Sequence, residues 1–150
     1  MTIRSSKGFS LIELLVVVAI IGILAAVGTV TYNGYSQSAM KSATEAAMQQ
    51  IALAQTEEFS NTSRYYFTPG DEGQDECDPD ADGLGLISSA LFDETGTLDD
   101  SLDYHFCIFG EGNTFTIFAE QSTGDDNEKC QITLVRNGTP QREKVNGEEC

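Results

Sequence analysis

An α+β fold is predicted: one long N-terminal helix packed on an antiparallel β-sheet. Three observations carry it. Residues 9–30 form an unbroken apolar run with a single charge, and no proline occurs before Pro69, so nothing interrupts a helix through the first sixty residues. Residues 104–136 carry three segments in which apolar and polar residues alternate, the pattern of half-buried strands. Four cysteines, all in the second half of a 150-residue chain, suit a small body braced by disulfides.

The elements follow in order. Residues 1–8, MTIRSSKG, are polar, with Arg4 and Lys7 as the charged side chains. Twenty-two helical residues from Phe9 to Val30 span roughly 33 Å, enough to cross a bilayer core. The basic residues precede the span, which predicts a cytoplasmic leader and an outward-facing remainder. A secretory signal would place its cleavage site after a shorter apolar run. Residues 31–60 are rich in Ala, Gln, Met, Glu and Lys and continue the helix to about Phe59. Met40, Ala43, Ala47, Ile51 and Ala54 form an apolar stripe for a sheet, with Lys41, Glu45, Gln49 and Glu57 on the opposite face. Residues 61–103 read as a long connection with Pro69-Gly70, Pro79, Gly83 and Gly85, within which Ile87–Phe92 forms a short helix or a turn that plugs the core. The strands expected are 104–109, 114–120 and 130–136. Turns fall at Glu111-Gly112-Asn113 and Asn137-Gly138, and an edge strand returns over 139–145.

Charge excludes some functions. The chain holds 24 acids against 8 Lys and Arg, a net charge of −16. Residues 65–128 hold 17 of those acids and no Lys or Arg. Such a field repels nucleic acid, and no nucleic-acid partner is expected unless Lys129, Arg136, Arg142 and Lys144 form a local basic patch. No P-loop and no GxGxxG occur, and the one histidine, His105, has no nucleophile motif beside it, so no enzyme is expected.

Glu13 is the anomaly of the apolar run. A carboxylate at mid-bilayer costs on the order of 2.5–3.5 kcal/mol. It reaches an interface, takes a proton, or finds a cation. The stretch Gly8-Phe9-Ser10-Leu11-Ile12-Glu13-Leu14-Leu15, continued by Val16-Val17-Val18-Ala19-Ile20-Ile21-Gly22, resembles the N-terminus of type IV pilins and the related pseudopilins of type II secretion. The resemblance covers about the first 35 residues. It implies cleavage between Gly8 and Phe9 by a prepilin peptidase, N-methylation of Phe9, and pairing of Glu13 with the Phe9 amine of a neighbouring subunit. It also implies the pilin fold, divided as leader 1–8, membrane or filament-core half-helix 9–30, amphipathic half-helix 31–60 and head 61–150. Its partners would be other copies of itself in a helical homopolymer and the assembly machinery of the inner membrane. Its location would be the inner membrane before assembly and the extracellular filament after it. The function implied is the major subunit of a type IV pilus for adhesion, motility or uptake; a major pseudopilin and a minor pilin are the alternatives. Many relatives carry a proline near the end of the apolar run, where Val30 stands here.

Spacing leaves all three pairings of the four cysteines open. Pilins commonly close a C-terminal loop with a disulfide, so the resemblance implies Cys130–Cys150, and with it Cys77–Cys107. No cofactor is required by any motif except one. Asp78-Pro79-Asp80-Ala81-Asp82-Gly83 matches the opening of a calcium loop, with Asp78, Asp80 and Asp82 as ligands. The residue where the bidentate Glu belongs is Ser89, so a solvated acidic loop is the competing reading.

Overall fold

The computed structural model describes residues 8–92, 98 and 100–150. Helix α1 runs Leu11–Thr62 and α2 Gly83–Leu91; a 3-10 turn covers Asp100–Leu102. Strands β1 (Tyr104–Phe109), β2 (Thr116–Gln121), β3 (Cys130–Val135) and β4 (Gln141–Lys144) follow. They form one antiparallel meander in the order β1-β2-β3-β4. The described chain divides into two compact units, residues 8–39 and 40–150.

The first unit is helix throughout from Leu11. Its large apolar side chains between Leu11 and Val27 are all exposed, from 46% at Val17 to 80% at Leu11. The stretch Leu11–Gly28 has a mean hydropathy of 2.8 and buries none of its residues, and it is long and apolar enough to cross a membrane.

The second unit holds the core. Alternation decides the sheet's inner face: Tyr104, Phe106 and Ile108, then Ile117 and Ala119, then Cys130, Ile132 and Leu134 are buried. Register places Phe106 opposite Ala119, and Ala119 opposite Ile132, so one apolar band crosses three strands. Helix α1 covers it with Thr44, Ala47, Met48, Ile51, Ala54 and Gln55. The expected stripe is therefore corrected in phase. Ala43 is exposed and Met40 is 37% exposed, while Thr44 and Gln55 are fully buried. Both polar residues are satisfied locally. Thr44 Oγ1 donates to the Met40 carbonyl at 2.9 Å, and Gln55 holds both backbone groups of Tyr66, at 2.6 and 2.8 Å. A polar side chain whose hydrogen bonds are complete can take a core position that composition alone assigns to an apolar one.

Helix α1 stops at Ser63, whose φ of 61° is left-handed, with its N–H on the Phe59 carbonyl. The returning chain then closes the free edge of β1. Thr68 exchanges bonds with Ile108 through its backbone N–H and its hydroxyl, Gly73 donates to Gly110, and Asp80 bridges Phe106. Helix α2 starts against that bridge. A Cβ at Gly83 would collide with the Phe106 carbonyl, so glycine alone lets α2 approach β1 and bury Leu84 and Ile87. The opposite edge, β4, reads Gln-Arg-Glu-Lys, a charged strand that discourages edge pairing.

Candidate functional site

The N-terminal site is built on the first turn of α1. Gly8, Phe9 and Ser10 precede the helix, and Phe9 is 86% exposed. Glu13 stands one turn in, grouped with Phe9, Ile12, Val16 and Val17 around a shallow apolar hollow. Its Oε2 accepts the backbone N–H of Ser10 at 2.8 Å. Ser10 is the residue before the helix and Glu13 the third within it, so the carboxylate satisfies an N–H that the helix leaves unpaired and complements the positive helix end. The Ser-x-x-Glu spacing carries that signal in the sequence, apart from any role of Glu13 in the membrane or toward a neighbour's amine. Residues 1–7 of the expected leader lie outside the described residues. Gly8 and Phe9, between which cleavage is expected, are thus exposed and lie just before a capped helix start.

In the second unit, disulfides join Cys77 to Cys107 and Cys130 to Cys150. The first fastens the acidic connection to the outer face of β1. The second fastens the tail to β3. Each such bridge typically contributes about 2–4 kcal/mol, mainly by restricting the unfolded chain. Lys41 Nζ donates to the main-chain oxygen of Cys150 at 2.6 Å, so the tail is also held to α1. Burial, with Arg142 and Lys144 nearby, pulls the Lys41 pKa down. Arg142 reaches from β4 to both carboxylate oxygens of Glu45, at 2.7 and 2.8 Å. That bond holds the Glu45 pKa down despite partial burial. Lys41 and Glu45 therefore face the β4 side of the head, not the opposite solvent face expected from the stripe.

The basic residues on which a nucleic-acid surface would depend are each engaged. Lys129 pairs with Asp126 at 3.0 Å and Glu120 at 3.6 Å, and Lys144 with Glu148 at 3.4 Å. Arg136 donates to the Asn113 carbonyl and lies over the Tyr65 ring.

Asp78, Asp80 and Asp82 are all exposed. Asp80 accepts the backbone N–H of Asp82, and α2 begins at Gly83, the turn glycine of the calcium pattern. Ser89 sits inside that helix with its hydroxyl on Leu86. Among the described residues, the one set of three candidate metal ligands with its donor atoms mutually within 4.8 Å is Asp71, Cys77 and Cys107. Its two sulfurs are bonded to each other, which removes their capacity as thiolate ligands.

The described residues thus hold an apolar helical stretch long enough to cross a membrane and a disulfide-braced head. Residues 3–29 match the prokaryotic N-terminal methylation motif. Two relatives from Dichelobacter nodosus, each named probable minor fimbrial protein, are 36% identical over 87 and 89 residues. Those alignments cover 58% of this chain and 52% of each relative, so the chain spans about half the length of the curated relatives it matches. No solved structure matches. The chain is thus similar to prepilin-type proteins at its N-terminus and to fimbrial proteins over 58% of its length.

Proposed function

We propose that this protein is a minor subunit of a type IV fimbria, held in the inner membrane by residues 11–28 and then built into a surface filament. The observation that carries the proposal is the likeness to the two Dichelobacter proteins. It runs over 87 and 89 residues, well beyond the methylation motif at 3–29, and both relatives are named as minor fimbrial proteins. Their names favour a minor subunit over the major one that the N-terminal signature suggests by itself.

The chemistry of assembly follows from the first turn of α1. In the uncut chain the Phe9 nitrogen is an amide. Cleavage between Gly8 and Phe9 turns it into a cation and leaves it four residues from the one carboxylate of an apolar segment. Glu13 would then exchange its bond to Ser10 for the Phe9 amine of an adjacent subunit. That pair fixes axial register, while the packing of Leu, Val and Ile supplies most of the cohesion. Prepilin peptidase and the inner-membrane assembly machinery are the partners this reading requires.

Quantitative mass spectrometry of filaments sheared from cells tests it. The expected result is a species beginning at N-methylated Phe9, present at a small fraction of the most abundant filament protein. Dominance in that fraction would restore the major-subunit reading. Absence from it, with the cut protein retained in the membrane, would move the chain to the pseudopilins.

A further inference from the structure

The outer face of the sheet departs from what an exposed antiparallel face should be. Such a face is ordinarily polar. Here Phe109 and Phe118 point outward and are half-buried. The connection pinned by Cys77–Cys107 runs beside them, and between the two lies an open groove of about 750 Å³. Its walls carry Asp71, Glu76, Asp78 and Glu120. Among the described residues, ion pairs reach Glu120 through Lys129, and none reaches Asp71, Glu76 or Asp78. Partial burial, with Asp80 and Asp78 nearby, raises the Asp71 pKa, the sign of a carboxylate short of positive charge.

The geometry points to this groove as the docking surface for a basic protein segment whose Lys or Arg side chains are interleaved with apolar ones. The Phe pair offers a floor for the apolar side chains and the carboxylates offer partners for the cations. A second copy of this chain fits poorly. Its residues 65–128 bring 17 more acids and no Lys or Arg, and its basic residues at Lys129, Arg142 and Lys144 are engaged at home. The occupant is therefore a different protein, recognised by opposite charge. This rests on the head alone and stands whether the chain is a minor or a major subunit.

The full chain in dodecylmaltoside micelles, titrated against a fluorescein-labelled Lys-Val-Lys-Val-Lys-Val peptide at about 0.15 M salt, provides the test. Anisotropy is read against protein-free micelles. Saturable one-to-one binding is expected. It should weaken about tenfold in Phe118→Ser and in the Glu76→Gln/Asp78→Asn double variant, and survive in Phe118→Leu. The Glu57→Gln/Glu149→Gln double variant removes two charges outside the groove and should bind within about twofold of the parent. Equal loss in both double variants would reduce the effect to bulk charge and overturn the proposal, as would the absence of saturable binding. Self-association without peptide that Phe118→Ser abolishes would assign the groove to a second copy instead. Thermal unfolding with both disulfides intact checks that each variant is folded.

Discussion

Helix α1 contains two stretches with opposite relations to the rest of the chain. Apart from Glu13, residues 11–28 are apolar on every side, and every described large apolar side chain there is exposed. Residues 44–55 present one buried stripe, and that stripe includes a threonine and a glutamine with no exposed surface. A helix that is apolar all round has its environment supplied from outside its own fold; an amphipathic one packs on its own domain. On the proposed function the first stretch is specified by lipid or other subunits, whereas the second is specified by the sheet it covers. Glu13 and Gln55 show the same contrast. Among the described residues Glu13 accepts one hydrogen bond, from the Ser10 N–H, and remains exposed. Gln55 is fully committed to Tyr66.

Substitutions can break each stretch separately. Ile20→Asp places a charge within the exposed apolar run at a cost of about 3 kcal/mol in a membrane. It should abolish insertion and filament incorporation, seen by fractionation, and leave the unfolding of the head unchanged. Ile51→Ala should do the reverse. It opens a cavity over the sheet, destabilises the head by about 2–5 kcal/mol, and leaves membrane insertion intact. Gln55→Leu strands the N–H and carbonyl of Tyr66 in a part-buried place and should cost about 2 kcal/mol by chemical denaturation.

Two smaller effects sharpen the comparison inside the head. The Glu45 pKa is depressed by Arg142, so its contribution is present above the unfolded carboxylate value and is lost as pH falls through the folded one. Arg142→Ala should lower Tm at pH 7, and the difference should shrink toward pH 3. Tyr104 runs the other way. Its hydroxyl is buried with no hydrogen-bond partner among the described residues, and burial pushes its pKa up to about 12. Tyr104→Phe removes that orphan and should be neutral or stabilising by about 1 kcal/mol in the same denaturation assay.

The strands were legible because alternation is a local signal: Tyr104, Phe106 and Ile108 announce an inner face without reference to anything else. The helix was legible from the absence of proline and from its composition. Its phase was misread at Met40 and Ala43 because hydropathy does not count hydrogen bonds, and Thr44 and Gln55 are buried through theirs. Residues 61–82 had no local signal. Their place on the β1 edge depends on Thr68, Asp80 and Cys77 meeting residues 26 to 40 positions away. The outward direction of Phe109 and Phe118 follows from the same alternation, but the connection that Cys77–Cys107 brings beside them does not.

What covers residues 11–28 separates the two stretches most directly. A photo-crosslinking side chain at Val17, activated in intact cells, would report it. The account predicts adducts to lipid while the leader is attached and to other filament subunits once Phe9 is the first residue. Adducts confined to residues 40–150 of the same chain, in either state, would contradict it.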